Sequence, residues 1–142
     1  MELDQLSDHL AIQRLTTSYA THLSRGEADA VAALFTEDGR YHAFGEAYTR
    51  EDLPHLIRSA PQGQLIVNPP LLEVDGDVAT GSQHYVFIAQ QNHDMRLAWY
   101  TDEYRRTSEG WRFVSRSTTF LRRSGGYDAG REHDPVRYST AD

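Results

Sequence analysis

Three long runs of β-forming residues, Val78 to Gln90, Met95 to Arg106 and Trp111 to Leu121, follow one another with only short polar turns between them. Parallel neighbours need a crossover of a dozen or more residues, and these turns are far too short for one. The second half of the chain is therefore an antiparallel meander. Each run also exceeds the ~5–6 residues usual for a strand, so the twist accumulates and the sheet curves. A curved sheet needs cover on its concave face.

The first half supplies that cover. From Asp4 to about Ser24, Leu6, Leu10, Leu15, Tyr19 and Leu23 fall on one helical face. Gly26 ends this helix, and Glu27 to Leu34 predicts a short second one. Asp38-Gly39 marks a turn into a short strand, Arg40 to Phe44. Thr49-Arg50-Glu51-Asp52 reads as a capped helix start, with Pro54 in its first turn and an end near Ser59. Leu65 to Val74 reads as one strand closed by Asp75-Gly76-Asp77. The expectation is an α+β cone in one domain, residues 1–122. Three N-terminal helices pack on a strongly curved, mostly antiparallel sheet that encloses a pocket. Residues 123–142 form a Gly-, Asp- and Arg-rich tail, loose or folded over a neighbouring surface, with Tyr127, His133 and Tyr138 as its candidate contacts.

Composition excludes several classes of function. Fourteen Lys and Arg against 21 Asp and Glu leave a net charge of −7, which argues against nucleic acid or an anionic membrane as partner. The chain has no cysteine, so disulfides, thiolate catalysis and sulfur-ligated metals are impossible. No apolar run approaches the ~18 residues of a membrane span, and no leader pattern opens the chain. A cytoplasmic location is expected. The seven histidines show no metal-ligand spacing, and no metal or organic cofactor is expected.

Four segments, taken in order, resemble one family. They are Ala11-Ile12-Gln13-Arg14-Leu15 with Tyr19, the stretch from Gly26 to Gly39, Asn68 through Asp77, and Tyr100 to Phe113. Together they resemble the SnoaL-like branch of the fold shared by scytalone dehydratase, ketosteroid isomerase and hexachlorocyclohexane dehydrochlorinase. The resemblance implies a hydrophobic pocket without cofactor and a homodimer or homotrimer built on the open sheet faces. It also implies a His–Asp dyad: the Asp ends the first helix, and the His opens the strand after the third. Here those positions carry Ser24 and Gln64. Neither titrates near neutral pH, so the usual proton-abstracting pair is replaced.

The family's pocket register, laid on this chain, points Tyr41 and Ala43 into the cone. It also points His84, Val86 and Ile88 inward, then Ala98 and Tyr100, then Arg116 and Thr118, with Tyr19 and His22 capping the cavity. His84 is the candidate acid or base; its other reading is a half-buried histidine bonded to a tyrosine. Arg116 either holds a substrate oxygen or forms an ion pair with Asp102 or Glu103. Tyr41 and Tyr100 either donate to a developing oxyanion or form the wall. Ser24 and Gln64 are candidates for positioning ligand or water. Two functions compete: a cofactor-free lyase, isomerase or cyclase for an apolar oxygenated metabolite such as a polyketide or terpenoid, and a non-catalytic binding module of the same fold.

Overall fold

The structure, a computed structural model, describes residues 2–121 and 127–128. Helix α1 (Leu3–Ser24) leads into α2 (Ala28–Ala32), and a hairpin of β1 (Phe35–Ala43) and β2 (Glu46–Thr49) precedes α3 (Leu53–Ser59). Then follow β3 (Gly63–Val67), β4 (Leu71–Asp75), β5 (Val78–Ala89), β6 (Met95–Thr107), β7 (Gly110–Leu121) and the two-residue β8 (Tyr127–Asp128). The strand order is β2-β1-β7-β6-β5-β3, with β4 also along β5 and β8 against β7. The β5–β6–β7 meander is antiparallel as its turns require, and β1 joins β7 in parallel. Among the described residues this is the expected α+β cone.

Local chemistry accounts for where the expected elements shift. The buried stripe of α1 is Ile12, Leu15, Thr16, Tyr19 and Ala20, one turn-to-turn face of a 3.6-residue period. Leu6 and Leu10, expected on that face, are exposed because they project from the opposite side of the helix; Asp8, one turn before Ile12, is the residue that meets Arg106 and Trp111 of the sheet. At the other end Gly26 adopts φ 73°, and the Glu27 amide closes on the His22 carbonyl at 2.9 Å, a left-handed helix stop. The strand expected from Arg40 starts five residues earlier, and Thr49 both ends β2 and caps as expected: its Oγ1 accepts the Asp52 amide at 3.1 Å and its own amide donates to Asp52 Oδ2 at 3.4 Å, just before α3. The expected strand Leu65 to Val74 is two strands, since Pro69 and Pro70 cannot donate to a ladder. The tail contacts expected of Tyr127, His133 and Tyr138 lie outside the residues whose side chains are described.

A bulge in β7 sets the concave face. Glu103 pairs with Ser115 and Tyr104 with Phe113, leaving Val114 as the extra residue. Before it, Trp111 and Phe113 point inward; after it, Arg116, Thr118 and Phe120 do. The core beneath is aromatic: Tyr19, Phe35, Tyr100, Tyr104, Trp111 and Phe113 are all at least 96 % buried.

Candidate functional site

The cone holds a narrow cavity of about 100 Å³ that opens at a mouth. Its roof is α3, through Leu53, Leu56 and Ile57, and Gly63 and Leu65 of β3 form one rim. Phe44 closes another side. It sits at φ 58° in the tight β1–β2 turn beside Gly45 (φ 77°) and stacks on Phe120 at 5.7 Å. The floor is Tyr19 and Tyr100.

The polar groups gather on one wall. The Tyr41 hydroxyl and Thr118 Oγ1 are 2.9 Å apart, joining β1 to β7. Tyr85 stacks on Tyr100 with ring centres 4.4 Å apart, and Tyr19 meets Tyr100 edge-on at 5.7 Å. Burial pushes all four phenols above their ordinary range, so they are neutral hydrogen-bond donors at physiological pH. Arg96 of β6, half-buried, supplies the cation on this wall. Among the described residues the lining carries no carboxylate and no imidazole.

Arg116 lies behind this wall. Its Nε donates to Asp102 Oδ1 at 2.9 Å and its Nη2 to Asp102 Oδ2 at 3.2 Å and Gln83 Oε1 at 2.6 Å. Tyr104 donates to the same carboxylate at 2.7 Å, and Gln83 in turn donates to the Asn68 carbonyl. The guanidinium stacks on Tyr100 at 3.6 Å and Tyr19 at 4.3 Å. Burial opposes its charge, but the Asp102 carboxylate and the surrounding tyrosines more than compensate and hold it protonated. Arg116 points inward as expected, yet Tyr100 and Tyr19 separate it from the cavity. Of its two readings, the ion pair with Asp102 is the one the fold builds.

His84 does not face the cone. Directly opposed residues in an antiparallel pair share a face. Gln83 pairs with Tyr100 and Tyr85 with Ala98, so Gln83, Tyr85 and Phe87 point inward. His84 pairs with Trp99, and the two rings meet at 5.4 Å on the outer face, where Val86 and Ile88 also lie. The expected inward register of His84, Val86 and Ile88 is corrected by one residue, which exchanges the faces of the whole strand. Ala98 and Thr118 are inward and buried; Ala98 lies behind the lining, and Thr118 acts through Tyr41. Tyr85, Phe87, Gln62 and Arg96 are among the lining residues the sequence reading missed. Arg96 was visible in principle, two residues before Ala98 on the same face of β6.

Ser24 and Gln64, set at the dyad positions by the resemblance, form a brace between α1 and β3. Ser24 Oγ accepts the Leu65 amide at 2.9 Å, and Gln64 Nε2 donates to the Ser24 carbonyl at 3.4 Å. Gln64 faces outward and Leu65 inward, because β3 alternates like its partner β5. His22 sits outside the cavity, its Nδ1 3.3 Å from Glu27 Oε1. Ser24→Ala should lower stability by about 1 kcal/mol in a denaturant titration, the cost of one unpaired amide, and leave ligand binding unchanged.

The model of the SnoaL-like domain matches residues 4–117. The chain belongs to the SnoaL-like domain family. Three relatives show how far the likeness extends. An uncharacterized Mycobacterium tuberculosis protein is 26 % identical over 131 residues, spanning 84 % of this chain and 89 % of the relative. An NTF2-like protein with a cystatin-like fold from Novosphingobium aromaticivorans is 30 % identical, with a TM-score of 0.75 over 84 % of this chain and 85 % of that one. A putative scytalone dehydratase from the same organism shares the fold alone: 16 % identity and a TM-score of 0.74 over 97 % of both chains. Among the described residues of this chain, no helix is long and apolar enough to cross a membrane, and no three His, Asp or Glu are grouped to hold a metal ion.

Proposed function

We propose that the cone of this SnoaL-like chain binds an apolar, oxygen-bearing small molecule of polyketide or terpenoid character. The ring system fits against Leu53, Leu56, Ile57 and Phe87, and the Tyr41–Thr118 hydroxyl pair holds an oxygen. The observation that carries this reading is the composition of the lining: an apolar cavity whose polar groups, among the described residues, are neutral phenols, the Gln62 amide and one arginine. Such groups bind and polarise an oxygen; none of them removes a proton near pH 7. The geometry therefore supports binding first.

A second reading follows from the fold and the phenols together. The half-buried hydroxyls of Tyr41 and Tyr85 on the wall, above the phenols of the floor, suit the developing oxyanion of a lyase, isomerase or cyclase reaction. Incubating the protein with candidate polyketides and terpenoids separates the two readings. Thermal stabilisation with every compound recovered unchanged by mass spectrometry supports binding; a changed compound supports chemistry. No stabilisation by any apolar oxygenated compound, with no conversion, contradicts both.

Two predictions attach to the site. His84→Ala should leave affinity within about twofold, because the ring is on the outer face. For a neutral ligand, affinity should stay flat from about pH 6 to about pH 9. The lining phenols titrate above their usual ~10 and remain protonated donors throughout that window. A midpoint near 6.5 would assign binding to a histidine instead. The outer face carrying Val86, Ile88, Leu97 and Trp99 is the surface through which we propose the homodimer or homotrimer forms. Light scattering of wild type against Trp99→Lys tests it: a shift to monomer supports this interface, and an unchanged mass removes it.

A further inference from the structure

The cavity in the cone, about 100 Å³, is smaller than the roughly 150 Å³ in which an apolar protein interior accommodates one benzene ring. A fused ring system therefore enters only if part of the lining moves. Most of the lining is held fast. Leu53 and Ile57 of the roof are buried, and Tyr19 and Tyr100 of the floor are buried and packed edge-on against each other. Gly63 on the rim lies so close to the Ile88 carbonyl of β5 that no side chain fits between them, within an antiparallel ladder that fixes β3.

Phe44 is held differently. With Gly45 it forms the two-residue connection between β1 and β2, and both residues have φ above zero, 58° and 77°. That is the signature of a type I′ turn, whose first central position ordinarily carries Asn, Asp or Gly. A phenylalanine there keeps its backbone in a region that is costly for a bulky side chain. Such strain persists only where the surroundings impose it. The pairing of β1 with β7 ends at His42 and Ser117, and further along β7 it is β8 that pairs with Phe120 and Leu121. The hairpin tip thus has no ladder of its own onto β7. Its tie to the cone is the half-buried Phe44 ring, stacked on Phe120 at 5.7 Å with the planes 28° apart.

We propose that Phe44 is the gate of the cone and sets the size of molecule it accepts. Closed, its ring lies on Phe120 and limits the cavity to about 100 Å³. Open, rotation at the turn lifts the ring off Phe120 and admits an apolar molecule of two or more fused rings beneath α3. The strained turn raises the closed state toward the open one, so a ligand that binds only the open state can shift the balance between them. This rests on the reading of the cone as an apolar small-molecule site, and adds how that site is entered.

Stopped-flow mixing with methyl 2-naphthoate, followed by its naphthalene fluorescence, tests the gate in wild type, Phe44→Asn and Phe44→Tyr. Asparagine suits the first position of the turn and removes the ring, whereas tyrosine keeps it. In wild type the observed rate should level off as ester concentration rises, at the rate of opening. In Phe44→Asn it should rise linearly and pass the wild-type plateau by about tenfold or more, as entry no longer waits on a conformational change. Phe44→Tyr should behave as wild type. A linear rise in wild type overturns the gate even where a variant folds poorly, and so does a plateau that Phe44→Asn leaves in place. Either result, with saturable binding, defeats only the gate. Binding of the ester to none of the three proteins defeats the apolar-cone reading itself.

Discussion

Asp102→Ala should destabilise the fold by about 3–5 kcal/mol, seen as a fall in Tm of roughly 10–20 °C. Both partners of the Arg116–Asp102 pair are fully buried, so removing the carboxylate leaves a guanidinium in the core with no counter-charge. It also strands the Tyr104 hydroxyl, which donates only to that carboxylate. The effect is a property of the broken pair and not of the pair's net worth. Asp102→Leu combined with Arg116→Met should therefore recover much of the loss. Equal instability of the single and double variants would show that the ion pair itself, and not an uncompensated charge, holds the meander together.

The second large effect is expected at Gly63→Ala. A Cβ there would overlap the Ile88 carbonyl oxygen and come within 2.8 Å of Phe87 Cζ. The obstruction is partly backbone, which cannot swing away as a side chain would. Strand β3 would have to leave its register with β5, at a cost of about 3 kcal/mol. Because Gly63 also forms the rim of the cone, the same change should narrow the mouth and weaken ligand binding. Chemical denaturation and ligand titration of one preparation check both. Wild-type stability in this variant would mean that β3 is not held where it lies.

Much of this architecture was legible in the chain. The meander follows from strand length and turn length, and Gly26 stops α1 where a left-handed residue is needed. The face of β5 was not legible. A run such as Ser82-Gln83-His84-Tyr85-Val86-Phe87-Ile88 offers plausible inward residues in both parities, and only the pairing with β6 decides between them. The inward choice of His84 fails for that reason alone. By contrast the inward direction of Arg116 and Thr118 is right, although it depends on a bulge at Val114 that no local signal announces. Ser24 and Gln64 at the positions where the resemblance expects the dyad were readable. The arrangement of the site was not, because the Ser24–Leu65 brace and the position of Arg96 exist only once β3 and β6 are docked.

The reading of the cone as an apolar ligand site is tested most directly by titrating methyl 2-naphthoate into wild type and Leu56→Trp by calorimetry. Leu56 lines the roof of the cavity, and an indole there would fill the space a ring system needs. Saturable binding at one site per chain in wild type, lost in a Leu56→Trp protein that still melts cooperatively, is the predicted result. Absence of saturable binding in wild type, or binding untouched by the tryptophan, would contradict it.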